Sequence, residues 1–171
     1  AKHLKANEIL VLAHHQQDQA ETLMLRLLSG AGVHGLSAMK QVDVRKQFTI
    51  WRPLLDISRE QICQWVIQLG VQNIEDPTNL DTHYDRAWCR HELWPLLQQR
   101  YPKMQQALSR TSYLMQDAED ILLDVLQQDL NHCGSATELD LEKLSQLSSA
   151  RQRQLLSAWM KGQDTYRPSF E

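Results

Sequence analysis

ILVLAHHQQDQAETLMLRLLSGAG, residues 9–32, decides the fold of the first part of this chain. The five apolar residues of Ile9–Ala13 are too few for a core helix and do not alternate with polar ones. They therefore predict a β-strand that is buried on both faces. A helical pattern follows almost at once, and a strand running directly into a helix predicts an α/β domain with a parallel sheet.

The predicted helix has one apolar side and one polar side. At 100° per residue the apolar side packs on the sheet, and it consists of Ala20, Leu23, Met24, Leu27 and Leu28. The polar side consists of His14, His15, Asp18, Glu21 and Thr22, with Leu25 partly covering the two acids. Two interpretations stay open. The acids either complement the helix dipole on a solvated face, or they belong to a ligand site at the carboxyl end of the strand.

Composition places the chain among ordinary globular proteins. It has 171 residues, of which 42% are hydrophobic and 23% charged, and no apolar run approaches the roughly 18 residues of a membrane span. With no signal peptide, we expect a cytoplasmic protein without a membrane partner. Its three cysteines are widely separated and predict neither disulfides nor a thiolate zinc site. The net charge of −3 means that nucleic acid must bind to a local basic patch.

The glycine-rich turn and the next strand each leave two interpretations open. Gly30, Gly32 and Gly35 spell GxGxxG, but they follow a helix rather than a strand, which favours helix termination and a mobile turn over a phosphate-binding loop. Phe48–Leu55 predicts a second strand that ends near Arg52. Arg52 is either solvated or placed to meet an anion beside the first helix.

Downstream segments predict further helices. Ser58 and Gln61 form a capping box for a helix that Gly70 ends, and residues 71–74 predict a short third strand. A polar loop becomes helical near Arg86. Arg86 and Arg90 are four residues apart, so on a helix they share a face and can grip one phosphate or one carboxylate. Alternatively, Asp85 and Glu92 neutralise them as surface pairs.

The last part of the chain is predicted to be helical. A long helix begins at Pro102 and runs to Asn131, and a further helix follows near residue 149. Because the composition changes from mixed α/β to nearly all helix near residue 98, we predict two domains. Residues 1–98 form part of an α/β domain with a partial parallel sheet, and residues 99–171 form a mainly helical domain.

Four segments resemble the tRNA(Ile)-lysidine synthetases, members of the PP-loop group of ATP pyrophosphatases, and they occur in the order that this family shows. AHHQQDQAET resembles the family segment with a histidine, an Asp-Asp pair and a Glu-Thr pair, and GAGVHGLSAM resembles its glycine loop. WRPLL resembles its RPLL strand, and IEDPTNLDTHYDRAWCRHELWPLL resembles its Tyr-x-Arg-Asn segment before a Pro-Leu-Leu helix. Gln17 replaces the first Asp of the pair, and Ala87 replaces the Asn.

The resemblance implies an ATP-dependent ligase that joins lysine to C2 of cytidine 34 in an isoleucine tRNA with a CAU anticodon. In such enzymes ATP, as a substrate with Mg²⁺, adenylates the C2 oxygen, and the lysine ε-amine then displaces AMP. The family's SGGxDS phosphate loop does not occur among the 171 residues. We therefore expect a piece of a longer protein, the later half of the PP-loop domain plus a helical domain, inactive alone. A homodimer is left open.

The chemistry suggests roles for the acids. Freeing the lone pair of a lysine amine at pH 7 costs roughly 4.6 kcal/mol, since its unperturbed pKa is near 10.4. Two acids about 60° apart on one helix face can divide the work, one as counter-ion and the other as proton acceptor. We expect Asp18 to bind and help deprotonate the amine, Glu21 to assist as its neighbour, and His15 to hydrogen-bond the base or the lysine.

Basic residues are assigned to the anionic parts of the substrates. Arg86 and Arg90 are expected to bind the lysine carboxylate, an ATP phosphate or the anticodon backbone, and Arg52 is a further substrate-binding candidate. Arg100, Lys103 and Arg110 are expected to support tRNA docking, although a purely structural role for their helix is an equal alternative.

Three other functions are alternatives to this ligase. A tRNA thiolase of the same group shares the acidic helix, but such enzymes generally carry catalytic cysteine pairs. A non-catalytic helical RNA-binding module fits the chain taken alone. A metal site at His14, His15 and Asp18 lacks evident third and fourth ligands, so no metal site is predicted.

Overall fold

A computed structural model of the protein describes residues 8–45, 48–72 and 81–162. The strands are β1 (Ile9–Val11), β2 (Val42–Val44) and β3 (Thr49–Trp51). The helices are α1 (Gln16–Leu28), α2 (Val33–Leu36), α3 (Arg59–Gln68), α4 (Asp85–Trp88), a π-helical turn (Cys89–Leu93), α5 (Trp94–Arg100), α6 (Met104–Cys133), α7 (Leu141–Gln146) and α8 (Ser149–Gly162).

The sheet has the order β1-β3-β2. The strand pair β1 and β3 is parallel, with Leu10 opposite Ile50, and this confirms the predicted parallel pairing. β2 runs antiparallel to β3, so the sheet is mixed. Sequence reasoning missed β2 because its three residues Val42–Val44 are too short to show a pattern. Residues 71–72 are not in a strand, and the rest of the predicted third strand lies outside the described residues.

The prediction that β1 is buried on both faces is wrong. Ile9 is 59% exposed and Val11 is 56% exposed. They share a face with Val42, Val44 and Trp51, which are also exposed, because pairing at this register puts alternate residues of all three strands on one side. Within the described residues, no element covers that apolar face.

The glycine-rich turn also differs from its prediction. Gly30 ends α1 with a φ of +74°, as expected for a helix terminator. Gly32, however, precedes a one-turn helix, α2, instead of an irregular loop. The segment that follows is held by side-chain hydrogen bonds, such as those from Arg26 to the carbonyls of Gly35 and Ala38. The turn is thus a short structured element.

Capping predicts α3 correctly. Ser58 accepts a hydrogen bond from the backbone N–H of Gln61, whose side chain in turn accepts one from Ser58, and Gly70 follows the helix with a φ of +63°. The long helix α6 begins at Met104 rather than at Pro102, which lies in the preceding turn. α4 begins at Asp85, so the helical start predicted near Arg86 is confirmed.

The chain divides into two compact units, residues 1–117 and residues 118–171. In the first, Ala20 of α1 packs with Trp94 and Met104 in a buried apolar cluster. In the second, the core consists of Cys133, Leu144 and Leu155. The predicted boundary near residue 98, between an α/β domain and a mainly helical domain, stays a prediction. Across the described ranges, no helix combines the length and the hydropathy that a membrane crossing requires.

Candidate active site

The site begins where β1 ends and α1 starts. His15 is the residue before α1 and has extended backbone torsions. That N–H donates to Oδ2 of Asp18 at 3.0 Å, and the Nδ1 atom of His15 lies 3.5 Å from the same oxygen. Asp18 therefore closes the first turn of α1 by accepting from an otherwise unbonded backbone group. This local bond fixes the carboxylate at the carboxyl edge of the sheet.

Arg90 joins the two acids of α1. Its Nη2 atom lies 3.0 Å from Oδ1 of Asp18 and 2.9 Å from Oε2 of Glu21, while Nε lies 2.5 Å from Oε1 of Glu21. The hydrogen bonds to Glu21 raise the pKa of Arg90 above its ordinary value, although burial acts in the opposite direction. A guanidinium that bonds two carboxylates at once fixes their spacing.

Arg86 approaches Asp18 from one turn earlier than Arg90. Nη2 donates to Oγ1 of Thr22 at 3.2 Å, and Nη1 lies 4.0 Å from Oδ1 of Asp18. The side chain stays 44% exposed, whereas that of Arg90 is 24% exposed. Arg86 and Arg90 thus meet the acids of α1, and the alternative in which Asp85 and Glu92 neutralise them is wrong. Of the two arginines, Arg86 is the one with more surface left for a substrate.

Burial separates the two acids. The side chain of Asp18 is 12% exposed and that of Glu21 is 0% exposed. Glu21, expected to assist Asp18 as its neighbour, therefore has no side-chain surface that an incoming amine can reach. Asp18 keeps the only partly accessible carboxylate of the pair, and Glu21 lies behind it as the partner of Arg90.

His14 is a neighbour of this group that sequence reasoning considered only as a metal ligand. Burial lowers the pKa of its imidazole below 6.5, Asp18 opposes that shift, and Arg52, Arg86 and His15 add to it. Its Nδ1 atom is buried and accepts or donates no hydrogen bond within the described residues. Burial thus disfavours protonation of an imidazole on which the charge of Asp18 acts. The sequence signal was present, since His14 and His15 both follow the first strand.

Arg52 lies at the end of β3, as predicted, but it is not solvated. The residue is 8% exposed, and its Nη1 atom donates to the carbonyl of Lys40 at 2.8 Å. Its backbone N–H donates to the carbonyl of Gln41, also at 2.8 Å. Burial lowers the pKa of this guanidinium from its usual value. The solvated alternative is therefore wrong, and in this structure Arg52 supports the segment that precedes β2.

The basic residues predicted to dock tRNA are all on the surface. Arg100 ends α5, Lys103 lies in the turn before α6, and Arg110 is in the second turn of α6, and all three are exposed. Within residues 8–45, 48–72 and 81–162, no three His, Cys, Asp or Glu side chains come together as a metal-binding group.

Open α/β sheets bind their ligands at the carboxyl ends of parallel strands, and the charged side chains of this chain lie at that edge. The arrangement is typical of α/β proteins with a ligand site at the edge of the sheet. Comparison with known families identifies one of them. A family model described as the PP-loop domain matches residues 1–97. The chain belongs to the PP-loop family.

Named relatives match nearly the whole chain. "tRNA(Ile)-lysidine synthase" of Acinetobacter baylyi is 64% identical over 169 residues, which is 99% of this chain and 37% of that protein. The protein of the same name from Haemophilus ducreyi is 39% identical over 94% of this chain and 38% of its own length. That of Escherichia coli O157:H7 is 38% identical over 99% of this chain and 39% of its own length. The chain thus spans less than two fifths of each of these relatives.

Proposed function

We propose that this chain is part of an ATP-dependent ligase that joins lysine to C2 of cytidine 34 in an isoleucine tRNA with a CAU anticodon. The observation that carries the proposal is the 64% identity, over 99% of the chain, to a protein named tRNA(Ile)-lysidine synthase. The charged edge of the parallel strand pair supports it, because a reaction of a cationic amine requires acids at a ligand-binding edge. We place the protein in the cytoplasm.

Asp18 is assigned to the lysine ε-amine. Its carboxylate is the accessible member of the acidic pair, and an anionic oxygen binds an ammonium group strongly. The reaction needs the amine to lose one proton before its lone pair forms the C2–N bond. The C2–O bond of the adenylated cytidine then breaks, and AMP leaves with that electron pair. His15, whose ring lies 3.5 Å from Asp18, is assigned to hydrogen-bond the lysine or Asp18.

Glu21 and Arg90 are assigned to hold Asp18 in place. Glu21 has no exposed side-chain surface, and both of its oxygens lie within hydrogen-bonding distance of Arg90. Glu21, which was expected to assist Asp18 as its neighbour, is therefore assigned to positioning Asp18 and not to contact with the amine. Arg86 keeps the assignment to an anionic group, either the lysine carboxylate or a phosphate, because nearly half of its side chain is open. Arg52 is reassigned to support the segment before β2.

Two of the substrates need surfaces beyond these acids. Arg100, Lys103 and Arg110 are assigned to phosphates of the tRNA backbone because each is exposed and cationic. ATP is assigned as a substrate because residues 1–97 match a PP-loop domain, and such domains bind ATP.

The proposal is tested in a full-length protein that contains this chain. Purified protein is incubated with ATP, lysine and the CAU-anticodon tRNA, and the modified nucleoside is identified by mass spectrometry. We expect lysidine, with AMP formed in equal amount, and no product when lysine is omitted. A thiolated nucleoside on addition of a sulfur donor would favour a tRNA thiolase, and tRNA binding without modification would favour an RNA-binding module. We expect the 171-residue chain alone to be inactive.

A further inference from the structure

Gln19 lies on α1 between the two acids and is fully buried at 0% exposure. Both of its amide protons are used, because Nε2 donates to the carbonyl of Met39 and to Oγ of Ser112, each at 2.9 Å. Its oxygen accepts from the N–H of Met39 at 3.0 Å. One buried amide thus joins α1 to the segment before β2 and to α6. A buried amide with all three partners in place holds its neighbours at fixed distances.

The segment on which Gln19 acts is bonded by side chains from several elements. It contains Ala38, whose φ of +52° is in the left-handed region, and Met39, which is 8% exposed. Arg26 of α1 donates to Gly35 and Ala38, Gln116 of α6 donates to Ser37 and Met39, and Arg52 donates to Lys40. The backbone of residues 35–40 is therefore held in place by side chains from several elements of the first unit.

Gln19 and Glu21 hold α1 from nearly opposite sides. At 100° per residue, Asp18 and Glu21 lie about 60° apart, and Gln19 lies about 160° from Glu21 around the helix axis. Arg90 contacts the acidic side, and Met39 with Ser112 contacts the other. The guanidinium of Arg90 is the end of a flexible side chain, whereas two of the three hydrogen bonds of Gln19 are to the backbone of Met39. The amide is thus the more rigid of the two attachments.

We propose that Gln19 is a positioning residue for the ligation step, which fixes the rotation of α1 about its axis and thereby the place of the Asp18 carboxylate. This inference rests on the proposed function. Without the amide, α1 loses its hydrogen bonds to Met39 and Ser112 and can turn towards Arg90 by a fraction of the 100° that separates neighbouring residues. A displacement of about 1 Å at a reacting group is enough to lower a rate by about 100-fold.

The test compares two glutamines that donate to the same carbonyl. Gln19→Leu removes the bonds of α1 to Met39 and Ser112, and Gln116→Leu removes the bonds of α6 to Ser37 and Met39 without touching α1. In the full-length protein we expect Gln19→Leu to lower kcat for lysidine formation by about 100-fold with KM for tRNA changed less than about threefold. Gln116→Leu should stay within about threefold of wild type in both. Equal losses in the two variants would overturn the inference.

A second variant and a second measurement keep the test decisive. Ser112→Ala removes only the α6 partner of Gln19, and we expect it to lower kcat by about tenfold. It replaces Gln19→Leu in the comparison if that variant does not fold. Hydrogen exchange of the amides in residues 15–22 needs no activity. Exchange there should be at least about tenfold faster in Gln19→Leu or Ser112→Ala than in Gln116→Leu.

The outcomes separate the two proposals. If the wild-type protein makes no lysidine, the proposed function fails, and the exchange rates alone then decide whether Gln19 positions α1. The other outcome is that the wild-type protein makes lysidine, but Gln19→Leu and Ser112→Ala have the same exchange rates and kcat values as Gln116→Leu. The positioning role of Gln19 is then wrong.

Discussion

Arg90 and Glu21 are 69 residues apart in sequence and form a two-pronged ion pair, with Nε 2.5 Å from Oε1 and Nη2 2.9 Å from Oε2. Glu21 is 0% exposed, so its charge is out of contact with water. A buried carboxylate is tolerated only while a cation and hydrogen-bond donors face it. The pair therefore ties the π-helical turn to α1 and leaves Asp18 as the open acid.

Removing Arg90 should destabilise the fold. In Arg90→Met, Glu21 either stays ionised without a partner or takes up a proton, and each is unfavourable. We expect the free energy of unfolding to fall by about 3 kcal/mol, measured by urea denaturation at neutral pH. Arg153→Met, at an exposed position of α8, is the control and should change it by less than about 0.5 kcal/mol.

A double substitution distinguishes an unpaired charge from lost packing. Adding Glu21→Leu to Arg90→Met removes both partners, and we expect it to recover most of the lost stability, because a buried ion pair can be replaced by apolar groups with little net change. A double variant as unstable as the sum of the two single variants would show that the pair is not the cause.

Local features of the fold were predictable from sequence, whereas its long-range contacts were not. The Ser58 capping box and the turn at Gly70 depend on residues within three positions of one another, so the helix they bound was predicted correctly. The bonds from Arg90 to Glu21 and from Gln19 to Ser112 join residues 69 and 93 positions apart. Helical spacing showed only that such residues share a face.

The candidate site was predictable as a set of residues and not as an arrangement. Spacing placed Asp18 and Glu21 on one face of α1, and Leu25 suggested that they were partly covered. It could not show that Glu21 is fully buried, because burial depends on what α4 and the π-helical turn bring over it. For the same reason, spacing could not decide between the two interpretations of Arg52. The carbonyl that it bonds belongs to Lys40, in a segment with no regular pattern.

Arg86 should contact an anion of the substrates. If that anion is a phosphate of the tRNA, Arg86→Ala reduces the slope of log K against log salt for tRNA binding by about one unit, because one fewer counterion is released. The measurement is a titration of labelled tRNA at several salt concentrations. Arg59→Ala, at an exposed position of α3, is the control and should leave the slope unchanged. An unchanged slope in Arg86→Ala with a higher KM for lysine would instead assign Arg86 to the lysine carboxylate.

His14 should make the fold less stable in mild acid. Burial lowers the pKa of its imidazole below the ordinary 6.5. Below that pH the unfolded chain therefore binds more protons than the native state, and stability is lost as the pH falls through 6.5. We expect His14→Asn to lose less of its unfolding free energy than wild type between about pH 7.5 and about pH 5.5. His132→Asn, at an exposed position of α6, should follow wild type. Equal losses in His14→Asn and wild type would contradict the lowered pKa.

Asp18→Asn shows whether the carboxylate of Asp18 binds the lysine amine. The amide keeps the size of the side chain but removes its charge. In the full-length protein with ATP, lysine and the CAU-anticodon tRNA, we predict that lysidine formation falls by about 100-fold or more while tRNA binding is retained. Asp124→Asn, on an exposed part of α6, should match wild type. Lysidine formation by Asp18→Asn within about threefold of wild type would show that the Asp18 carboxylate does not act on the lysine amine.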